Sequence, residues 1–389
     1  MGSPDRYLAR GVAAGKEDLH RALKHSSPGL FTDTFCKILP FPTLENTYQV
    51  LHADTAGSKP TLAYLWYKET GDLQVWKGVV QDALVMNLDD MACSGVLNHF
   101  TVSSTLARNT HHIPGEVLSK LIESTTELAQ WFQELGITLH LAGGETADVG
   151  DVVRTLDVGF TVHGLLKPDQ VIHIQPKPGD VMVGVASYGQ ATYEDTYNSG
   201  IGCNGLTAAK HELLSPWYAQ AYPESYDPAI PASLAYCGKF RLQTTEPNTQ
   251  KTLGELLLSP TRTYLPALKS LLPHFKPQIR GIIHHTGGGY TKPLRFTPHL
   301  ALQVEHPLPV PPLFKWIQEQ QQMPIDQLYK TFNMGQRLSF FTTKEAADDL
   351  VDGLKDFGLL AQKIGQVAHR QPGGPAMEIH TETEILRYF

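Results

Sequence analysis

Met86 to Gly95 read MNLDDMACSG, placing two adjacent acids, Asp89 and Asp90, inside an apolar stretch of helical character that runs from Ala83 to Gly95. Adjacent side chains on a helix point about 100° apart, so at least one of the carboxylates is directed toward the buried side. A buried carboxylate stays ionised only beside a cation or strong donors. Magnesium, a hard ion that takes carboxylate and phosphate oxygen, is one such cation. A helix cap or a salt bridge serves the same carboxylates, and at this stage all of these stay open.

Two further acidic strings flank this one. HADTAGSK, His52 to Lys59, gathers Asp54, Gly57, Ser58 and Lys59 in one short loop after a strand. A carboxylate, a small turn and an ammonium so close together suit a metal-bound polyphosphate, although a solvated hairpin loop explains them too; the Walker A spacing is absent. LAGGETADVG, Leu141 to Gly150, bends at Gly143 and Gly144 and then presents Glu145 and Thr146 as oxygen ligands. Asp54, Asp90 and Glu145 fall at corresponding strand or helix ends, an arrangement able to converge on one metal–triphosphate. HHTGGGYTKP, His284 to Pro293, follows the short apolar run GIIH. Its glycines free the backbone to turn amides toward an oxyanion, or simply form a surface turn.

Around these loops the first half reads as strands and helices in alternation: strands at TYQVLHAD and TLAYLWYK, a helix near Val79 to Ser94, a strand at NHFTVSST, and an amphipathic helix from Pro114 to Leu135 with Gly136 as its stop. ITLHLAGGE follows as a buried strand ending in glycines, then the strand TLDVGFTVHGLL. The Pro- and Lys-containing KPDQVIHIQPKPGD marks a boundary, giving domains 1–177 and 178–389. In the second half the strand DVMVGVAS leads to NSGIGCNGLTAAKHELL, a loop entering a helix, and Ser259-Pro260 caps the helix PTRTYLPALKSLLPHF. TFNMGQRLSFFTT and AQKIGQVAH read as strands separated by the helix KEAADDLVDGLKDF.

Composition narrows the partners. A chain of 389 residues with 41% apolar content suits about two globular domains. No apolar run approaches the roughly 20 residues of a membrane helix, and MGSPDRYLARGV lacks a signal-peptide core, so a cytoplasmic protein is expected. The net charge of -7 and the lack of a long basic run argue against a nucleic-acid surface and for a small-molecule substrate. Cys36, Cys93, Cys203 and Cys237 are scattered and read as reduced structural thiols; the 17 histidines show no HExxH spacing and read as ordinary ones.

Taken in order, the strings resemble the phosphoribosylformylglycinamidine cyclo-ligase (aminoimidazole ribonucleotide synthetase) family. DTAGSK is similar to its DGVGTK, LDDMACSG to VNDxxxxGA, GGETAD to GGETAE, NSGIGCNG to SGPHSNG, LLSPTRTY to LLxPTxxY, HHTGGGYTKPL to HxTGGGxxENxPR, and TFNMGQR to TFNxGxGM. The resemblance implies an α+β fold of two domains, in which the N-terminal domains pair across a homodimer as a β-barrel beside C-terminal α/β layers. It implies a purine-biosynthetic ligase that closes the imidazole ring of formylglycinamidine ribonucleotide with ATP and Mg²⁺. Carried over by motif, Asp54, Asp90 and Glu145 would hold the metal, and Gly57, Ser58, Lys59, Gly144, Thr146 and Asn204 would line the ATP site with them. Thr286, Gly287, Gly288 and Gly289 would receive the substrate, and Lys59, Asp54 and His284 would act in catalysis, Lys59 by neutralising phosphate charge.

The chain also departs from that pattern. Gly202 stands at the loop histidine of SGPHSNG, so its proton-carrying role is absent or moved, with water, His284 or the YGQATYEDTY stretch as substitutes. Thr55 replaces a glycine, the glycine-rich N-terminal loop shrinks to SSPGLF, Lys292 falls where an acidic or amide pair is expected, and Lys24 stands for an early lysine. Selenophosphate synthetase, thiamine-monophosphate kinase and a catalytically silent nucleotide binder share the implied fold and are the alternatives.

Overall fold

The computed structural model describes residues 6, 8–12, 22, 27, 29–320 and 323–389; Lys24 lies outside them. Five strands, β1 (Leu39–Pro40), β2 (Tyr48–Thr55), β3 (Phe100–Arg108), β4 (Leu139–Asp148) and β5 (Leu156–Leu166), form one sheet in the order β1-β2-β5-β3-β4. Helices α1 (Lys59–Thr70), α2 (Val75–Ala92) and α3 (Gly115–Glu134) belong to the same half. The β3–β4 pair is parallel because α3 carries the chain back between them; the other pairs are antiparallel. α3 buries Val117, Leu121 and Leu128 of the expected stripe together with Phe132, and Gly136 follows it at φ +75°.

The remaining strands build a second sheet in the order β12-β11-β8-β10-β6-β9-β7. They are β6 (Val181–Ala186), β7 (Ile279–His284), β8 (Leu300–Val304), β9 (Gln336–Thr342), β10 (Ala361–His369), β11 (Met377–His380) and β12 (Ile385–Tyr388). Helices α4 (Leu206–Leu213), α5 (Leu265–Phe275) and α6 (Ala347–Lys355) lie between these strands in sequence. The architecture is α+β, two sheets with their own helices, as the motif order implied.

Three local readings change. TLAYLWYK is helical, part of α1: Pro60 sits in the first turn, Gly71 ends the helix at φ +72°, and Leu62, Ala63, Tyr64 and Leu65 are all buried, so neither a period of two nor one of 3.6 shows. β4 is an exposed edge strand, not a buried one, with only Leu139 buried at its start, and it runs straight through Gly143 and Gly144 instead of ending there. Gly144 is needed because a Cβ there would lie 2.2 Å from the Ser104 carbonyl oxygen of β3.

The third change concerns Ser259-Pro260, which does not cap a helix; α5 begins at Leu265. Residues before it are held out of helical form by carboxylates of α2. Asp82 Oδ1 accepts from the Thr261 amide at 2.7 Å and hydroxyl at 2.6 Å. Asp89 accepts from the Thr263 hydroxyl at 2.8 Å and the Tyr264 amide at 3.0 Å. These side-chain acceptors outcompete an i→i−4 ladder for the same donors, and they tie the helix of the first half to the entry of α5 in the second.

Asp89 is fully buried, and burial lifts its carboxyl to about 7 against the pull of the Thr263 and Tyr264 donors. Its folded-state affinity for a proton therefore exceeds the unfolded one. The stabilisation this gives is complete below about pH 4 and is lost as pH rises through about 7. Asp89→Ala orphans both buried donors and is expected to lower the unfolding free energy by about 1–3 kcal/mol for each. Urea titrations at pH 4.5 and 7.5 check both points: the loss is larger at the acidic pH, and equal losses would show that Asp89 does not titrate between them.

Candidate active site

A cavity of about 520 Å³ opens where the two halves meet. β2 contributes His52, Asp54 and Thr55, the following turn Gly57, and α2 Met86 and Asp90. The second half contributes Cys203 and Asn204 before α4, Thr286 to Gly288 after β7, and Lys292, Arg295 and Phe296 beyond them. Of the expected residues, Asp54, Gly57, Asp90, Asn204, Thr286, Gly287 and Gly288 are brought together here.

Asp90 is the centre of charge. Its Oδ1 lies 2.6 Å from His284 Nδ1 and its Oδ2 3.5 Å from His52 Nε2. Burial pushes its carboxyl upward, but the nearby Lys292 ammonium, the His284 hydrogen bond and His52 prevail and hold it down at about 2. Asp54, two residues beyond His52 on the same face of β2, is pushed up by burial and by the Asp90 charge. Two carboxylates at one wall, one held ionised and one resisting ionisation, favour a bound cation. Lys292 Nζ donates to the Thr286 hydroxyl and lies 4.5 Å over the Phe35 ring, which stacks on Phe296 at 5.4 Å. Asn204 Oδ1 is buried without a partner among the described residues, so the wall also offers an unmet acceptor.

Other expected residues are placed elsewhere, each for a physical reason. Lys59 is fully buried: its ammonium lies 2.8 Å from Asp82 Oδ1 and 2.6 Å from the Ser259 carbonyl oxygen, so it clamps α1 to α2 and the Ser259 turn and does not line the cavity. Ser58 sits at the N-cap position of α1, with its hydroxyl accepting from Thr207 at 3.1 Å. His284 is buried behind Asp90, and burial pushes its imidazole down to about 4; within the cavity wall it orients Asp90 instead of facing a substrate. Gly289, at φ +55°, lies under the Phe332 carbonyl, where a Cβ would come within 2.6 Å; it is a packing glycine, whereas a Cβ on Gly288 would meet nothing nearer than 3.8 Å.

Glu145 and Thr146 belong to β4, and the register decides their placement. Glu145 pairs with Thr105, Thr105 with Gly159 and Gly159 with Thr55, so Glu145 shares the face of Thr55. Successive strand residues alternate faces, which sets Glu145 opposite Asp54 and Asp90. The three acids do not converge within this chain, and among the described residues no group of three or more His, Cys, Asp or Glu could hold a metal ion. Gly144 and Thr146 lie on the same exposed strand, outside the cavity. His52, Arg295, Phe35, Phe296 and Met86 were not singled out from sequence. Arg295 had a legible signal, a second cation three residues after Lys292 in TKPLR; the others have none in a single sequence.

Residues 37–166 match the family described as AIR synthase related protein, N-terminal domain. Over 325 residues, 82% of this chain and 78% of the relative, the chain is 26% identical to a phosphoribosylformylglycinamidine cyclo-ligase of Methanococcus vannielii. It is 28% identical over 322 residues, with the same shares covered, to the enzyme of that name from Methanocaldococcus jannaschii. Among solved structures, a HypE–HypF complex matches with TM-score 0.58 and 14% identity over 96% of this chain and 99% of that one. T. maritima PurL complexed with FGAR matches with TM-score 0.56 and 11% identity over 98% of this chain and 51% of that one. At such identities these structures speak for the fold alone. No helix among the described residues is long and apolar enough to cross a membrane.

Lys59→Met is expected to leave Asp82 buried and unpaired, costing about 3–5 kcal/mol of stability in a urea titration. Nucleotide affinity at temperatures where the variant is folded should stay near that of the unaltered protein. A stable variant that has lost nucleotide binding would return Lys59 to the cavity.

Proposed function

We propose that this chain, a divergent member of the AIR-synthase-related proteins, performs ATP-dependent closure of the imidazole ring of formylglycinamidine ribonucleotide, giving aminoimidazole ribonucleotide in purine biosynthesis. The relatives bearing the cyclo-ligase name cover most of the chain, and the cavity carries the chemistry that the name requires. The observation that carries the reading is the opposition, across one cavity, of the carboxylates Asp54 and Asp90 to the cations Lys292 and Arg295 beside the Thr286–Gly288 backbone.

In this reading ATP passes its γ-phosphoryl group to the formamide oxygen of the substrate. The amidine nitrogen attacks the activated carbon, the carbon–oxygen bond breaks, and the oxygen leaves within inorganic phosphate. Phosphoryl transfer asks a protein mainly for position and charge compensation. Lys292 and Arg295 supply positive charge to phosphate oxygens, the Thr286–Gly288 turn seats the ribose phosphate, and Asn204 Oδ1 accepts from a substrate N–H. Asp54 and Asp90 would hold Mg²⁺, which when bound neutralises triphosphate charge; the donor set fits a hard cation that keeps waters and phosphate oxygens as its other ligands. ATP as the nucleotide agrees with related folds solved with ADP, in T. maritima PurL, and with AMPPCP, in AaThiL.

A homodimer completes the account. The sheet face opposite α2 carries exposed Leu39, Leu51 and Leu165 around Ala53 and Thr55 and is left open among the described residues. A second copy seated on that face would bury these leucines, close the paired sheets toward a barrel, and bring Glu145 and Thr146 of edge strand β4 to the partner's cavity. The expected place of action is the cytoplasm.

Two outcomes test this. Substrate labelled with heavy oxygen in the formamide group should yield one labelled phosphate per ring closed; label released to water during ring closure would overturn the phosphorylation step. Asp90→Asn and Glu145→Gln chains, each inactive alone, should regain about a quarter of normal turnover when mixed and reassembled, because half the dimers are mixed and each holds one intact site. No recovery from a confirmed mixed dimer would place Glu145 outside the partner's site.

A further inference from the structure

Arg337, on β9, is only 2% exposed, yet it is a full-length guanidinium in the interior. Its Nε donates to His284 Nε2 at 3.0 Å. An imidazole nitrogen that accepts carries no proton, so the ring hydrogen is on Nδ1, which faces Asp90 Oδ1 at 2.6 Å. Arg337 Nη2 lies 3.2 Å from the sulfur of Met86, a cavity residue, and Nη1 is buried without a partner among the described residues. A chain of donors thus runs from β9 through β7 to α2 and ends at the carboxylate in the cavity wall.

Gly202 explains how the guanidinium fits. It adopts φ +62°, and a Cβ on it would stand 2.5 Å from Arg337 Nη1, 2.7 Å from Nη2 and 2.8 Å from Cζ. The space beside the Cys203–Asn204 wall that any side chain at 202 would enter is already filled from β9. A side chain at 202 would thus meet two obstacles, the left-handed backbone and the guanidinium of Arg337.

We propose that Arg337 is a positioning residue for the cavity: it fixes the His284 ring so that His284 donates to Asp90, and its guanidinium occupies the space that a side chain at 202 would enter. The role of His284 follows from this, as the link between Arg337 and Asp90 and not as an independent proton carrier. The catalytic part of the proposal rests on the ring-closure reading; the tautomer part does not.

Arg337→Ala is the first test. Loss of a partner that orients a ligand-holding side chain typically costs about 10- to 100-fold in activity or metal affinity. That fall is expected in kcat, with a smaller change in the KM for the formylglycinamidine substrate, and methylguanidine added to the vacated space should restore part of it. Arg337→Lys should not substitute, since an ammonium cannot reach His284 and fill the space at Gly202 together. Gly202→His should fail to fold or to turn over, while Gly202→His combined with Arg337→Gly should fold and recover activity relative to either single change. Nitrogen-15 NMR of the histidine rings, with His284 assigned through His284→Gln, reads the tautomer without any assay: Nδ1–H in the unaltered protein, exchanging with Nε2–H in Arg337→Ala. If the unaltered protein turns over no substrate, the ring-closure reading fails and the NMR result alone decides the linkage. Unchanged kinetics with an unchanged His284 tautomer in Arg337→Ala would overturn the proposal, as would methylguanidine restoring thermal stability but not kcat.

Discussion

Three carboxylates on one buried helix govern this molecule. Asp82, Asp89 and Asp90 of α2 are each almost or wholly removed from water, and each must be satisfied by something outside its own helix. Asp82 takes Lys59 and Thr261, Asp89 takes Thr263 and Tyr264, and Asp90 takes His284. These partners lie on both sides of the boundary between the sheets. The cost of burying the acids therefore fixes how the halves meet, and the meeting fixes the cavity. Only the third acid reaches that cavity, and it arrives there already ionised.

That division of labour separates residues that look alike in the sequence. Lys59 and Lys292 are both cations close to glycine turns, but Lys59 is spent on Asp82 inside the fold while Lys292 stands over Phe35 at the cavity. Gly288 and Gly289 are adjacent; one faces the cavity and the other is pressed against the Phe332 carbonyl. The triple glycine thus answers two demands, a turn toward ligand and a close backbone approach. Glu145, on β4, is parted from Asp54, on β2, by two intervening strands and by the alternation that turns it to the opposite face of the sheet.

Much of this was legible from the residues. The amphipathic α3 and its Gly136 stop stand as read, with Leu118, Trp131 and Leu135 of the expected stripe only partly buried, and two of the three acidic loops meet the glycine-rich loop at the cavity. At least one of the adjacent acids of α2 was expected on the buried side, and both are buried: Asp89 anchors the entry of α5, and Asp90 lines the cavity. What was not legible depends on partners distant in sequence. TLAYLWYK shows no helical period because α1 is enclosed, the PTRTY segment is non-helical because α2 seizes its amides, and Gly202 reads as a loss until Arg337, 135 positions later in the chain, is seen beside it. Single-residue periodicity carries no record of such pairs.

The central claim is that the ionised Asp90 carboxylate anchors the metal–nucleotide complex. Calorimetric titration of Asp90→Asn with ATP at fixed magnesium tests it most directly, since the amide preserves shape and can still accept from His284. The account predicts an affinity at least about tenfold weaker, 1.4 kcal/mol or more, with the urea midpoint little changed. An Asp90→Asn protein that binds magnesium–ATP as tightly as the unaltered chain would contradict it.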